Sequence, residues 1–285
     1  FFFLFCGYAT LAFSQSDHLG FGFRAGLSYS RFDGPSEVAT NGTDLESYKA
    51  NGGFLIGAIV NYKFTDLVGL RSEFTYSQRG TKYTYDGPSY FRFEKNQLNE
   101  LLLQGSRHQT LSVKNTYIDI PVLAYYKIGK IEIHGGINAG VLVSSTGGGA
   151  ITFEGISPLN GNALPAFNTS LDYNYKSDEA LGASAATKKV NVDGRDYDLP
   201  VFLGAYYDFD EKDKDLYKTL DFGLAVGASF FVNDGLFLSA RYVHGLGDVD
   251  RNDYDISLQS LNGTSYIPRA DKNTSKSWQF CVGFS

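Results

Sequence analysis

Apolar and polar residues alternate with a period of two in eight stretches of the chain, and the connections between the stretches alternate short and long. The clearest pair runs from Phe54 to Phe64 and from Leu70 to Arg79, joined by Thr65-Asp66-Leu67 and Val68-Gly69. In the first, Phe54, Ile56, Ala58, Val60, Tyr62 and Phe64 share one face, and Gly57, Asn61 and Lys63 share the other. Successive side chains of a strand point to opposite faces, so the pattern predicts a sheet that is apolar on one side and polar on the other. The remaining stretches are Phe21 to Arg31, Tyr117 to Ile128, Ile131 to Val143, Leu220 to Phe231, Leu236 to Leu246 and Ser277 to Ser285. Each is about as long as a tilted strand must be to cross the hydrocarbon layer of a membrane.

The connections sharpen this reading. Thr65-Asp66-Leu67, Gly129-Lys130 and Asn233-Asp234-Gly235 are tight turns, and every other connection is long. Short turns on one side and long loops on the other are the habit of bacterial outer-membrane barrels, with the turns in the periplasm. The fold expected is therefore all-β: an eight-stranded antiparallel up-and-down transmembrane β-barrel with long extracellular loops and both termini periplasmic. The apolar face also carries aromatics at both ends. Phe21, Phe64, Tyr126, Phe230 and Phe284 fall at the expected periplasmic ends, and Tyr29, Phe54, Tyr76, Tyr242 and Trp278 at the outer ends. Two such belts suit the two membrane interfaces.

Three segments resist the simple pattern. Pro121 lies inside a strand although it cannot donate to the ladder, which predicts a bulge or local gap. Residues 146–218 form the longest connection, opening with Gly147-Gly148-Gly149 and ending in the charged run Asp208 to Asp215. Within it Leu199 to Phe209 is expected to be a strand above the membrane, since a ninth wall strand would give an odd count. Asn96 to Gln104, with four Leu, is expected to form a short helix in another external loop.

Composition adds limits. The chain has 285 residues, of which 43% are hydrophobic and 20% charged, so it is not a disordered polymer. Its net charge of -6 argues against nucleic-acid binding. Phe1 to Phe13 is apolar and uncharged, and Ala12 and Ser14 suit a signal-peptidase site before Gln15. Residues 1–14 are thus expected to be a signal peptide whose basic start is missing, in keeping with the absence of Met, and 15–285 a single barrel domain. Cys6 would leave with the signal, and Cys281 alone cannot form an internal disulfide. No later run is apolar enough for a transmembrane helix, so a membrane location requires a closed barrel.

Particular strands resemble a known group. Gly53-Phe54-Leu55-Ile56-Gly57-Ala58, Leu70 through Gly80, Tyr117-Ile118-Asp119-Ile120-Pro121, Leu220-Asp221-Phe222-Gly223-Leu224 and Arg241-Tyr242-Val243-His244-Gly245-Leu246 are similar to the PorT-like outer-membrane β-barrel family of Bacteroidetes. The resemblance covers most strands and little of the loops. It implies eight strands, an outer-membrane location and no established enzymatic activity. Some members are linked to protein secretion, but no residue here carries that role over. The family usually ends in an aromatic residue whereas this chain stops at Ser285, so further residues are expected beyond it.

The candidate chemistry lies in the lumen and the loops. Arg24, Lys63, Arg71, Glu73, Arg79, Asp119, Lys127, Glu132, His134, Asp221 and Arg241 are expected to point inward. Buried charges need partners, and a barrel of this size is just wide enough to be filled by side chains. A salt-bridged plug is therefore expected over a selective channel. Tyr173, Tyr175, Tyr197, Tyr206, Tyr207 and Phe209 crowd the longest loop. They read equally as anchors for a protein or glycan and as the loop's own small core. His244 stands near the outer rim, close in sequence to Asp248 and Asp250, but one His without a partner motif is weak support for a barrel enzyme acting on lipid or peptide. Asp248 to Asp253 resembles the first half of a calcium loop, yet Asp253 stands where Gly is needed and Gln259 where Glu is needed. No metal site, cofactor or catalytic residue is expected. The expected partners are outer-membrane lipid and lipopolysaccharide, with another envelope protein or an external ligand at the loops and no nucleic acid. The function expected is a structural or binding role through those loops.

Overall fold

The computed structural model describes residues 18–95 and 97–285. The signal peptide expected over residues 1–14, Cys6 and Asn96 fall outside the described residues. Fourteen strands and no helix are present among those described. They are β1 (Leu19–Asp33), β2 (Glu46–Lys63), β3 (Val68–Phe93), β4 (Leu101–Ile128), β5 (Ile131–Gly155), β6 (Phe167–Asn174), β7 (Thr187–Val192), β8 (Arg195–Pro200), β9 (Phe202–Leu203), β10 (Leu220–Phe231), β11 (Leu236–Gly245), β12 (Ile256–Asn262), β13 (Ser265–Pro268) and β14 (Thr274–Phe284).

The eight alternating stretches are β1 to β5, β10, β11 and β14. Consecutive members pair antiparallel, β5 pairs with β10, and β14 pairs with both β11 and β1. Each therefore has a neighbour on both sides, and the all-β wall is a barrel. The tight turns sit where the pattern put them. Gly129 takes a φ of +58° in the two-residue link between β4 and β5, a conformation that costs glycine little.

The wall wears its apolar residues outside. Phe23, Phe74, Ile137, Val226 and Val282 are each at least half exposed, and similar residues ring all eight strands. Water would not tolerate so wide an apolar belt; lipid would. Of the ten expected belt aromatics, Phe21, Phe64, Tyr126, Phe230, Phe284, Tyr29, Phe54 and Trp278 are exposed, and Tyr76 and Tyr242 half-buried.

Strands β3, β4 and β5 are far longer than their alternating cores suggest, at 26, 28 and 25 residues. Above the outer aromatics they continue as a sheet whose chemistry is reversed. Arg71, Glu73 and Arg79 face the lumen low in β3, whereas Phe91 and Phe93 of the same strand are buried in an apolar core at its top. The outward residues change from Leu70 and Phe74 to Lys82 and Asp86. Register shifts mark this change of solvent, between Ala50 and Leu55 of β2 and between Thr116 and Tyr117 of β4.

The helix expected over 96–104 is absent from the described residues, because Leu101, Leu102 and Leu103 open β4 and pair with Phe93, Arg92 and Phe91. The boundary at 146 falls inside β5. Gly147-Gly148-Gly149 reads as a break but runs as strand between β4 and β6, where a Cβ on Gly149 would meet the Thr110 carbonyl at 1.9 Å. Leu199 to Phe209 is not one strand. Pro200 closes β8, which forms a hairpin with β7, and β9 is a two-residue parallel addition to β6. Pro121 makes a gap and no bulge. The β3–β4 ladder omits Glu73–Pro121 and Phe74–Ile120, then resumes in the same register at Ser72–Val122.

These upper strands and loops form a cap over the barrel. One core gathers Phe91, Phe93, Leu103, Ile151, Phe153, Phe167 and Leu171 with Val192, Tyr197, Leu199 and Leu203. A second, at the rim, joins Phe32, Val113, Tyr117, Leu142, Tyr175, Tyr217 and Val249.

Candidate functional site: the filled lumen and the cavity above it

Inside the wall the polar residues are paired with one another. Glu73 of β3 accepts from Arg241 of β11 at 2.6 Å and from Arg24 of β1 at 3.1 Å. Arg24 also donates to Gln279 Oε1 and reaches Cys281 Sγ, both at 3.0 Å. Below them Arg71 meets Glu132 at 2.8 Å and donates to Asn61 at 2.8 Å. Above them Arg79 meets Asp119 at 2.5 Å and Asp221 at 2.6 Å. Asp119 also takes Asn138 at 3.0 Å and the Ser77 hydroxyl. Four guanidinium groups thus meet four carboxylates, and every one of the eight residues is at most 7% exposed. Such charges are tolerated in a low-dielectric interior only when each has its counter-charge.

Small residues make the room. A Cβ on Gly140 would meet Asp119 Oδ1 at 2.5 Å, and one on Gly227 would meet His134 Nε2 at 2.7 Å. Aromatics close the ends. Arg79 lies 4.1 Å from the Tyr117 ring centroid, and Phe231, Phe237 and Ile59 cluster at the turn end.

Arg24, Arg71, Glu73, Arg79, Asp119, Glu132, Asp221 and Arg241 all lie in this network, and His134 lies 3.5 Å from Glu132. Lys63 and Lys127 do not. Lys63 is exposed at a strand end, and Lys127 is half-buried with its ammonium 3.8 Å from the Phe231 ring. An unpaired ammonium is costly to bury, and strand ends leave it a path to water. Gln279, Cys281, Asn61 and Asn138 were not singled out as inner residues with a role, although the alternation places each of them on the inner face.

Above the plug, between rim and cap, lies a cavity of about 200 Å³. Tyr48, Tyr83, Tyr173, Tyr175, Tyr207, Tyr217 and Tyr254 line it with Glu46, Arg107, Asp250, Asp255 and Arg269. Glu46 accepts from Arg269 at 2.9 Å and from the Tyr83 hydroxyl at 2.8 Å. Buried Arg107 Nε and Asn273 Oδ1 lack a hydrogen-bond partner. Burial pushes the Tyr83, Tyr175 and Tyr217 hydroxyls well above the usual phenol range. Burial, reinforced by neighbouring Asp248, pushes Asp250 up to about 8. Burial also raises Asp255 to about 7, against the pull of Arg269.

Of the six loop aromatics singled out in the sequence, Tyr175, Tyr197 and Tyr206 are buried and Tyr173, Tyr207 and Phe209 half-buried. Tyr173, Tyr175 and Tyr207 face the cavity with Phe209, while Tyr197 belongs to the apolar cap core. Tyr48, Tyr83, Tyr217, Arg107 and Arg269 were missed, since they come from five distant segments that only the fold unites. His244 points away from the lumen, in strand register with Lys276. Asp248 is held by Lys218 at 2.9 Å and by the Asn273 amide at 3.0 Å. No group of three metal-ligating side chains occurs among the described residues.

The family model for the outer membrane protein beta-barrel domain matches residues 13–251. No curated protein sequence matches the chain. Among solved structures, Ail, the attachment invasion locus protein of Yersinia pestis, in complex with the heparin analogue sucrose octasulfate, is 12% identical, with 94% of this chain and 97% of that chain covered and a TM-score of 0.36. Neisserial surface protein A is 11% identical over 93% and 97%, with a TM-score of 0.34. OprG from Pseudomonas aeruginosa is 10% identical over 94% and 95%, also at 0.34. The chain thus belongs to the outer membrane protein beta-barrel domain family and is a β-barrel protein of the bacterial outer membrane.

Proposed function

We propose that this protein is a closed eight-stranded transmembrane barrel that does not conduct, is not an enzyme, and displays a folded β-cap whose tyrosine-lined cavity binds an external ligand. The tight turns and both termini face the periplasm, and the cap faces outward. The single observation that carries the reading is the lumen, where four arginines and four carboxylates neutralise one another across the barrel. An ion would have to replace those partners to pass. The unpartnered Arg107 Nε and Asn273 Oδ1 support a polar ligand in the cavity. The PorT-like strand motifs add an envelope role in Bacteroidetes to this proposal.

Planar-bilayer recording tests it. The purified monomer is expected to give negligible conductance, and so is a version with residues 147–215 replaced by a short linker, because the seal lies in the wall below the cap. Steady ion-selective steps from the full-length monomer would overturn the reading.

A further inference from the structure

The outward face of the wall carries a strip of cations on the cap side of the aromatic belt. Arg31 stands two residues beyond Tyr29 on β1, and Lys276 two residues before Trp278 on β14; strand pairing sets them opposite one another. Lys49 of β2 and Lys82 of β3 are also directly opposite. Lys114 of β4 follows, opposite Gly80 and so two residues along β3 from Lys82. The strip thus crosses five adjoining strands, β14, β1, β2, β3 and β4. Beyond it, β5 sets Thr146 opposite Lys114, flanked on the same exposed face by Ser144 and Gly148, with no cation.

Counter-charge is scarce. Asp33 serves both Arg31, at 3.3 Å, and Lys276. Lys49, Lys82 and Lys114 are exposed, and among the described residues no carboxylate lies within 4.0 Å of their ammonium groups. Like charges directly opposite on one face of a sheet are destabilising. The lumen of this same protein balances its charges pair by pair, so the uncompensated strip is a local feature of the lipid-facing side. A phosphorylated surface beside it would turn the repulsion into attraction.

We infer that this strip docks the phosphates of a glycolipid of the outer leaflet, with the sugar backbone against the sheet and the acyl chains along the apolar wall below. The inference rests on the outward orientation of the cap proposed above. Charge complementarity and continuity with the apolar belt fix the occupant. The belt holds acyl chains, and the cations begin where a phosphorylated headgroup would stand. A free anion would satisfy the charges but leave the continuity of the strip with the apolar wall, through Arg31 beside Tyr29 and Lys276 beside Trp278, without meaning.

The full-length protein, refolded into vesicles with lipid in both leaflets, gives a test that does not depend on orientation. Three compositions are compared: phosphatidylcholine alone, phosphatidylcholine with bisphosphorylated lipid A, and phosphatidylcholine with dephosphorylated lipid A. Heating followed by gel separation of folded and unfolded forms reads the unfolding midpoint. Phosphorylated lipid A is expected to raise the midpoint, while dephosphorylated lipid A, or inorganic phosphate added to phosphatidylcholine vesicles, leaves it unchanged. The gain is expected to fall as salt rises. The triple variant K49Q/K82Q/K114Q is expected to fold at least as well in phosphatidylcholine, since it loses the repulsion. It should bind phosphorylated lipid A roughly a hundredfold more weakly, at about fivefold per lysine. K49R/K82R/K114R should keep the gain. Equal midpoints with both forms of lipid A would overturn the inference, as would a full gain in the glutamine variant or an equal gain from inorganic phosphate. If the glutamine variant fails to fold, the comparison of the two lipid A forms on the unaltered chain still decides. Failure to find a heat-modifiable folded form in any vesicle would instead overturn the barrel reading itself.

Discussion

Single residues decide whether the lumen is stable. Glu73 receives both Arg24 and Arg241, and its removal leaves two buried guanidinium groups without a counter-charge. Glu73→Gln is expected to cost about 3–5 kcal/mol, the usual result of breaking a buried pair from one side. Urea titration of the protein in detergent micelles measures it, and a loss below about 1 kcal/mol would show that water reaches these arginines. At the rim Asp250 plays the opposite part. Its carboxyl is raised to about 8, and that of Asp255 to about 7, because burial and neighbouring acids disfavour their charged forms. A group whose folded-state pKa lies above its unfolded value stabilises the fold at low pH and ceases to do so as pH rises through the folded value. The cap around β12 and β13 is therefore expected to loosen progressively as pH climbs from the ordinary carboxylate range, about 4, to about 8, and to change no further above it. Hydrogen exchange of those strands, faster at high pH after correction for intrinsic rates, is the check. In Asp250→Asn this dependence should shrink.

At the scale of elements, strands β3, β4 and β5 serve two solvents in turn. Their lower halves are polar within and apolar without, and their upper halves are the reverse. Along β3 and β4 the same parity faces inward throughout, from Arg71 to Phe93 and from Leu123 to Arg107, so the reversal lies in the residues themselves; β5 alone changes parity, between Leu142 and Ser145, where its pairing with β4 shifts. The upper half is a soluble-type sheet, held by its own apolar core. Phe153→Ala removes the centre of that core, where its ring meets Phe91 and Phe167. It should cost about 3–5 kcal/mol, and the cost should fall on the cap. Proteolysis of the β7–β8 hairpin is expected to quicken while the wall keeps its heat-modifiable migration. Loss of both together would mean that wall and cap fold as one unit.

For the molecule as a whole, the cap and the tight turns stand at opposite ends of the wall, so each end meets a different side of the membrane. Leu159 of the cap is 80% exposed, and Asp234 lies exposed in a tight turn at the opposite end. A membrane-impermeant maleimide should label Leu159→Cys on intact cells and label Asp234→Cys only after the outer membrane is breached. Cys281 is buried and gives little background. The reverse pattern would invert the orientation, and with it the leaflet to which the cationic strip belongs.

The alternation of side chains was enough to set the strands of the wall, their tight turns and their apolar faces, and it put the charged residues of the ion network on the inner face, together with Lys63 and Lys127, which stand outside that network. Period two is a local property, and every wall strand meets the same lipid on one side and the same narrow lumen on the other. Pairing partners within the lumen were not legible. Arg79 finds Asp221 across 142 positions, and such contacts depend on the closing of β5 against β10. Nor was the cap. Its strands carry the sequence marks of loops, such as Gly147-Gly148-Gly149, and its tyrosines are polar enough to pass for surface anchors. Only tertiary structure could decide that they face inward, because a half-polar ring is buried or exposed according to what stands opposite it. The sequence determined which face of each strand meets lipid, through a solvent difference felt at every second residue. The three-dimensional fold decided which charges neutralise one another and what the loops enclose, since both depend on contacts between residues far apart in the chain.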